Sequence, residues 1–258
     1  MKIKQSSELQ KLLDEKAAQY ESLEFINDDP IQIPHLFSKK EDIEIAGFFA
    51  ATLAWGQRVT IIRNAKKILT FMDHEPHDFI LNHNASDLKS LPHFVHRTFN
   101  SDDLVGFFHA LQHIYKNHGG LEAAFRSKPK LGIQENLALF KQLFFETDHL
   151  VRTEKHISNP IKKSSAKRIN MYLRWMVRNN AQGVDFGIWN NYKAAELMIP
   201  LDVHTGAVGR KLGLLERKQN DWQAVEELTN NLRKYDANDP VKYDFALFGM
   251  GVNKDVED

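Results

Sequence analysis

The residues best placed to do chemistry are a lysine and an aspartate, each at the start of a run with helical spacing. Lys167 stands in Lys162-Lys163-Ser164-Ser165-Ala166-Lys167-Arg168-Ile169-Asn170-Met171-Tyr172-Leu173-Arg174-Trp175-Met176-Val177-Arg178. Asp202, 35 positions after Lys167, opens Asp202-Val203-His204-Thr205-Gly206-Ala207-Val208. A lysine amine can attack an electrophilic carbon and form a Schiff base, but only as the neutral amine. Its pKa must then fall from about 10.4 toward 7–8, which is roughly 4 kcal/mol of environmental bias. Burial and neighbouring cations are the two routes. From Arg152 to Arg178 there are eight Lys and Arg against the single acid Glu154. An aspartate at a helix start is held ionised by the helix dipole, so Asp202 can steer the nucleophile or stabilise a developing positive charge.

The elements that must position these groups are helices. No stretch alternates β-branched residues for long, and no Asn-Gly or Asp-Gly turn joins two apolar runs. Helical spacing recurs from a first amphipathic segment at Ser7–Tyr20 to a last one opened by Asp239-Pro240 and running through Phe248. The segment Asp42–Trp55 is apolar almost all round and is expected to be central, with Ser38 and Glu41 forming a capping box at its start. Ser101-Asp102-Asp103 is expected to cap another helix, Ser164 or Ser165 the Lys167 helix, and Asp221 the helix from Trp222. The chain reads as all-α.

Composition narrows the classes. Of 258 residues, 34 are Lys or Arg and 34 Asp or Glu, so a nucleic-acid partner must be argued from local charge. With no cysteine, disulfides, thiolate catalysis and cysteine-held metals or clusters are excluded. The start, Met1-Lys2-Ile3-Lys4-Gln5, leads into a polar amphipathic segment, and no signal peptide or membrane span is read. The expected location is cytoplasmic, nucleoid-associated when DNA is bound.

Lys167 followed by Asn170 and Leu173, then an apolar residue before Asp202 and His204, resembles the helix-hairpin-helix DNA glycosylase superfamily. The run Lys167-Arg168-Ile169-Asn170-Met171-Tyr172-Leu173-Arg174 is closest to the archaeal-type 8-oxoguanine enzymes. Two further stretches are similar to that superfamily. Ile45–Gln57 matches its apolar helix ending in Ser-x-Gln, and Tyr243-Asp244-Phe245-Ala246-Leu247-Phe248-Gly249 its closing helix with a terminal glycine. Lys163-Ser164-Ser165 stands where the superfamily has Gly-x-Gly, so a charge and hydroxyls replace close backbone approach to a phosphate. The chain as a whole also resembles a conserved bacterial family of unknown function, through Arg174–Arg178, Pro200–His204 and Asp239–Asp244.

The resemblance implies a two-lobed glycosylase-like fold with a central cleft. Residues 38–180 would form a central helical domain, and residues 1–37 with 181–258 a second lobe. It implies base excision of a damaged base, an oxidised purine if the likeness to the archaeal-type enzymes extends to substrate, with Lys167 and Asp202 catalytic and strand cleavage by β-elimination. Gln57, Phe186, Trp189 and His204 would contact the extruded base, whose stacking on aromatics is worth roughly 1–3 kcal/mol. Lys162, Lys163, Ser164, Ser165, Arg168, Arg210 and Lys211 would contact DNA phosphates. The implied partner is double-stranded DNA, bound by a monomer with no cofactor.

Two other classes stay open: a DNA- or RNA-binding protein of the same fold without chemistry, and a metal-dependent hydrolase. The second would draw on His93, His96, His109, His113 and His118. His109 and His113 have i, i+4 spacing, but no Glu completes the zincin pattern, and no metal is expected.

Overall fold

A computed structural model describes residues 2–179 and 182–255. Their regular elements are helices apart from one short hairpin, β1 (Val95–His96) paired antiparallel with β2 (Phe99–Asn100). Helices α1 (Lys2–Tyr20) and α2 (Leu23–Asp28) open the chain. Then follow α3 (Lys40–Leu53), α4 (Arg58–Phe71), α5 (Pro76–Asn82), α6 (Ala85–Ser90), α7 (Ser101–Asn117), α8 (Leu121–Phe125) and α9 (Ile133–Phe144). The C-terminal part holds α10 (Lys167–Val177), α11 (Val203–Lys211), α12 (Trp222–Leu232) and α13 (Tyr243–Asn253). No helix among the described residues is long and apolar enough to cross a membrane.

The chain divides into two compact units, Asp28–Asn159 and Met1–Asn27 with Pro160–Asp258. The second boundary, Asn159–Pro160, falls before α10, so Lys167 and Asp202 share one unit. The reason is visible in α10 itself. Its carbonyls at Trp175 and Met176 accept from the amides of Phe186 and Trp189, and its Arg174 bonds to Asp244 on α13. Asn180 and Ala181, at the expected lobe boundary, lie outside the described residues.

In the unit from Asp28, α3 is buried at every position from Ile43 to Leu53, as its all-round apolar pattern requires. Phe48 packs against Phe107, Phe125, Phe140 and Phe144, and Phe125 stacks on Phe140 at 3.7 Å. The start of α3 differs from the capping box expected at Ser38. Lys39 is the N-cap, without a side-chain bond, and Asp42 instead accepts from the His77 amide at 2.8 Å. At α7 the box is shifted by one residue. Asn100 Oδ1 accepts from the Asp103 amide at 3.2 Å, and Asp103 Oδ2 accepts from the Asn100 amide at 2.9 Å. Asp103 is fully buried, which its Arg152 and Thr153 bonds make tolerable.

In the other unit, α13 packs along α1 and against α11. The closing helix does not stop at Gly249; it runs on to Asn253. Gly249 permits close approach instead, because a Cβ there would lie 2.7 Å from Tyr20 Cε2 and nearer still to that ring's Cδ2 and Cγ. Every residue of α10 from Ile169 to Val177 is buried, including the fully buried Trp175.

Candidate functional site

The start of α10 is built without the serine cap its sequence suggests. Ala166 is the N-cap and adopts left-handed backbone, φ 49°, while Ser164 Oγ accepts the Ala166 amide at 3.2 Å. Lys163 is also left-handed, φ 67°. Two L-residues thus hold conformations that glycine takes without a Cβ penalty. The position where the superfamily's first hairpin glycine is expected therefore has a positive φ although a lysine fills it. The segment is tied down by Ser164 pairing with Asp221 in an isolated antiparallel bridge, and by the Trp222 amide donating to the Lys163 carbonyl at 3.3 Å. Asn170 donates to the Ser165 carbonyl at 3.2 Å, while its buried Oδ1 has no hydrogen-bond partner.

Lys167, half-buried, is the first residue of α10. Asp202 caps α11 as expected, its Oδ1 accepting the Thr205 amide at 2.9 Å, and the residue is half-buried. What brings the two into one electrostatic environment is Asp244, on the first turn of α13. Asp244 is 6% exposed. Burial, aided by the charge of Asp202, pushes its carboxyl up to about 6 against the opposing pull of Arg174 and Lys167. Its Oδ2 accepts from Arg174 Nη1 at 2.5 Å, and its Oδ1 accepts from Thr205 Oγ1 at 3.4 Å. A buried acid that shares its proton near neutral pH, beside an amine and a second carboxylate, is suited to general acid–base work.

Behind Asp244 lies a buried ion network. Asp185 accepts from Arg174 Nε at 3.3 Å on one oxygen and from Arg178 Nη1 at 3.1 Å on the other. Arg178 also bonds to both oxygens of Glu21 and, through Nε, to Asp239 at 2.6 Å. The two guanidinium groups lie over the Phe245 ring, 4.2 and 5.6 Å from its centroid. Two cations face four carboxylates, and burial raises Asp185 and Asp239 above the ordinary carboxylate range against the pull of the arginines. Burial pulls the Arg178 guanidinium down, but the Glu21 bond and the surrounding acids more than offset this and hold it above its ordinary value.

This network changes the reading of the basic run. Arg174 and Arg178 are 3% and 4% exposed and belong to the interior, not to a solvent-facing stripe. Burial lowers the half-buried Arg168 to about 10, so it stays charged at neutral pH. Lys162 and Lys163 are exposed, and Ser164 and Ser165 half-buried. Arg210 has three donor bonds to its own surroundings: the Arg217 carbonyl at 2.8 Å, the Lys218 carbonyl at 3.0 Å and Asn220 Oδ1 at 2.7 Å. That bonding anchors the loop before α12. Lys211 is exposed on the last turn of α11.

The remaining expected residues scatter. Trp189 is 2% exposed, edge-on to Tyr172 at 5.4 Å, which leaves its ring little open face for a base. Phe186 is half-buried. His204 is exposed on the first turn of α11, edge-on to Phe248 at 6.0 Å. Gln57 is exposed at the N-cap of α4, in the other unit, and its carbonyl accepts the Thr60 and Ile61 amides. Asp244 itself was missed by sequence reasoning as a site residue. Its signal was an acid in the otherwise apolar run Tyr243–Gly249.

A family model described as protein of unknown function (DUF2400) matches residues 29–253. The chain belongs to this family. No curated protein and no solved structure matches it. The matched region contains Lys167, Arg174, Arg178, Asp185, Asp202, Asp239 and Asp244, while Glu21, the partner of Arg178, precedes it.

Proposed function

We propose that the chain is a base-excision enzyme of the helix-hairpin-helix glycosylase type, acting on a damaged base in duplex DNA through Lys167. The observation that carries this reading is Asp244, whose near-neutral carboxyl senses both Lys167 and Asp202. The motif order, Lys167 then Asp202-x-His204, supports it, as does the positive φ of Lys163 where a hairpin glycine is expected.

In this reading the neutral Lys167 amine attacks C1′ of the damaged nucleotide. The C1′–N bond breaks, its electron pair leaves with the base, and the base takes up a proton from Asp244, which the attacking amine then replaces with one of its own. Asp202, kept at the α11 N-terminus, stabilises the positive charge developing on the sugar. Opening of the sugar ring, with O4′ taking up the amine's remaining proton, leaves an imine between Lys167 and C1′. Loss of a C2′ proton then expels the 3′ phosphate by β-elimination.

Borohydride trapping tests the proposal on duplexes carrying 8-oxoguanine or an abasic site, with Lys167→Gln in parallel. A covalent adduct that disappears in Lys167→Gln is expected. No adduct, or one unchanged in the variant, overturns the lysine mechanism. Salt-sensitive DNA binding without any adduct would instead identify a nucleic-acid-binding protein that lacks the chemistry.

A further inference from the structure

The histidine-rich region holds a cluster that the Lys167 chemistry does not use. α7 ends at Asn117 with His118 as its C-cap, and the Gly120 amide turns back to the Ile114 carbonyl at 3.3 Å. This turn swings His118 onto His113, five residues earlier, at a spacing that a continuing helix would not place face to face. Their Nε2 atoms are 3.0 Å apart. Glu146, just beyond α9, brings Oε2 to 3.4 Å from His113 Nε2. All three donor atoms lie within 4.8 Å of one another.

We propose that His113, His118 and Glu146 bind a divalent transition-metal ion, Zn²⁺ being the best match. Ligand atoms at about 2.0–2.1 Å from zinc in a tetrahedron lie roughly 3.3 Å from each other. The two short separations, 3.0 and 3.4 Å, bracket that edge. Two imidazoles and a carboxylate are a borderline N,N,O set that favours Zn²⁺ over Mg²⁺ or Ca²⁺. Three protein ligands leave the fourth position to water, the arrangement of zinc sites that activate water. The second shell also fits. The Asn117 amide lies 3.0 Å from His113 Nδ1. Turned so that its oxygen faces the ring, it accepts Nδ1–H and frees the Nε2 lone pair for the ion. His109 is not a ligand; its ring stacks beside His83 at 6.2 Å.

The test uses the untagged full chain, stripped with chelator and titrated with Zn²⁺ by calorimetry. One ion per chain is expected, with affinity falling at least tenfold in His118→Ala and in Glu146→Ala, by analogy with the roughly 10–100-fold effects of outer-shell changes. His109→Ala should bind as the parent does. Co²⁺ substitution should give the intense visible bands of a four-coordinate ion. Absence of a stoichiometric site, equal affinity in the His118 and Glu146 variants, or only the weak bands of six-coordinate Co²⁺ would overturn the proposal.

Discussion

Replacing Asp244 by asparagine should stabilise the chain at neutral pH, and the gain should shrink in acid. The folded chain raises this carboxyl from the usual 3.8 to about 6. Folding therefore favours the protonated form. The carboxyl costs nothing below the unfolded pKa, and its cost grows until the pH has passed the folded value. The full cost is about 3 kcal/mol, from 2.2 units at roughly 1.36 kcal/mol each. About 2 kcal/mol of it develops between roughly pH 4.5 and 7.5. Asparagine has the shape of the protonated acid and keeps an oxygen for Arg174 or Thr205. Urea unfolding of both proteins at the two pH values, followed by far-ultraviolet circular dichroism, gives the difference of differences and cancels other titrating groups. A pH-independent difference, or an asparagine that destabilises more at neutral pH than in acid, would show that the ionised carboxylate is a net stabilising partner of Arg174. The reasoning from burial would then be refuted. The expected result would show a residue whose charge opposes stability, as sites kept for chemistry often do.

Three further outcomes follow from the same geometry. Gly249→Ala places a Cβ inside the Tyr20 ring contact and should lower stability by about 2–3 kcal/mol, with partial recovery when Tyr20→Ala is added; urea midpoints check both. Lys163→Gly relieves a left-handed lysine and should raise stability by about 1 kcal/mol, read from the same midpoints. Asp202→Ala should lose about 1 kcal/mol of capping, whereas Asp202→Asn keeps the cap within a few tenths. If the carboxylate's charge is needed, both variants lose the borohydride adduct even though only the alanine loses stability.

Features fixed by short-range pattern were legible in the sequence. The all-α class, the burial of α3 and the caps at Asp202 and Asp221 each rest on residues within a few positions of one another. Caps decided by competing neighbours shifted by one residue, because Asn100 outbids Ser101 for the Asp103 amide and a left-handed Ala166 displaces the serines. The ion network was out of reach. Arg174 meets Asp244 70 positions away, and Arg178 meets Glu21 157 positions away. No local signal says which acids those are. His118 stood among the candidate histidines, but its pairing with His113 was out of reach for a different reason, since it depends on where α7 stops.

Three cations on one face of α10 and its C-cap, Lys167, Arg174 and Arg178, tie these points together. At about 100° per residue, Arg174 lies within roughly 20° of Lys167 around the helix, and so does Arg178 on the other side. One stripe therefore runs from a half-buried lysine at the helix start to two buried arginines at its end. Breaking a buried pair in such a network costs about 3–5 kcal/mol, yet well-packed apolar replacements are often neutral or better. Stability alone thus gives little reason to hold four acids around two arginines. Orientation gives a better one. With both arginines fixed by Asp185, Asp239, Asp244 and Glu21, α10 has little freedom to rotate about its axis, and Lys167 is aimed by groups seven and eleven residues along the same stripe. Arg178→Met, which removes one anchor, should then weaken borohydride trapping more than its effect on the unfolding midpoint explains. An adduct yield that simply follows the folded fraction would mean the network holds the fold and does not aim the lysine.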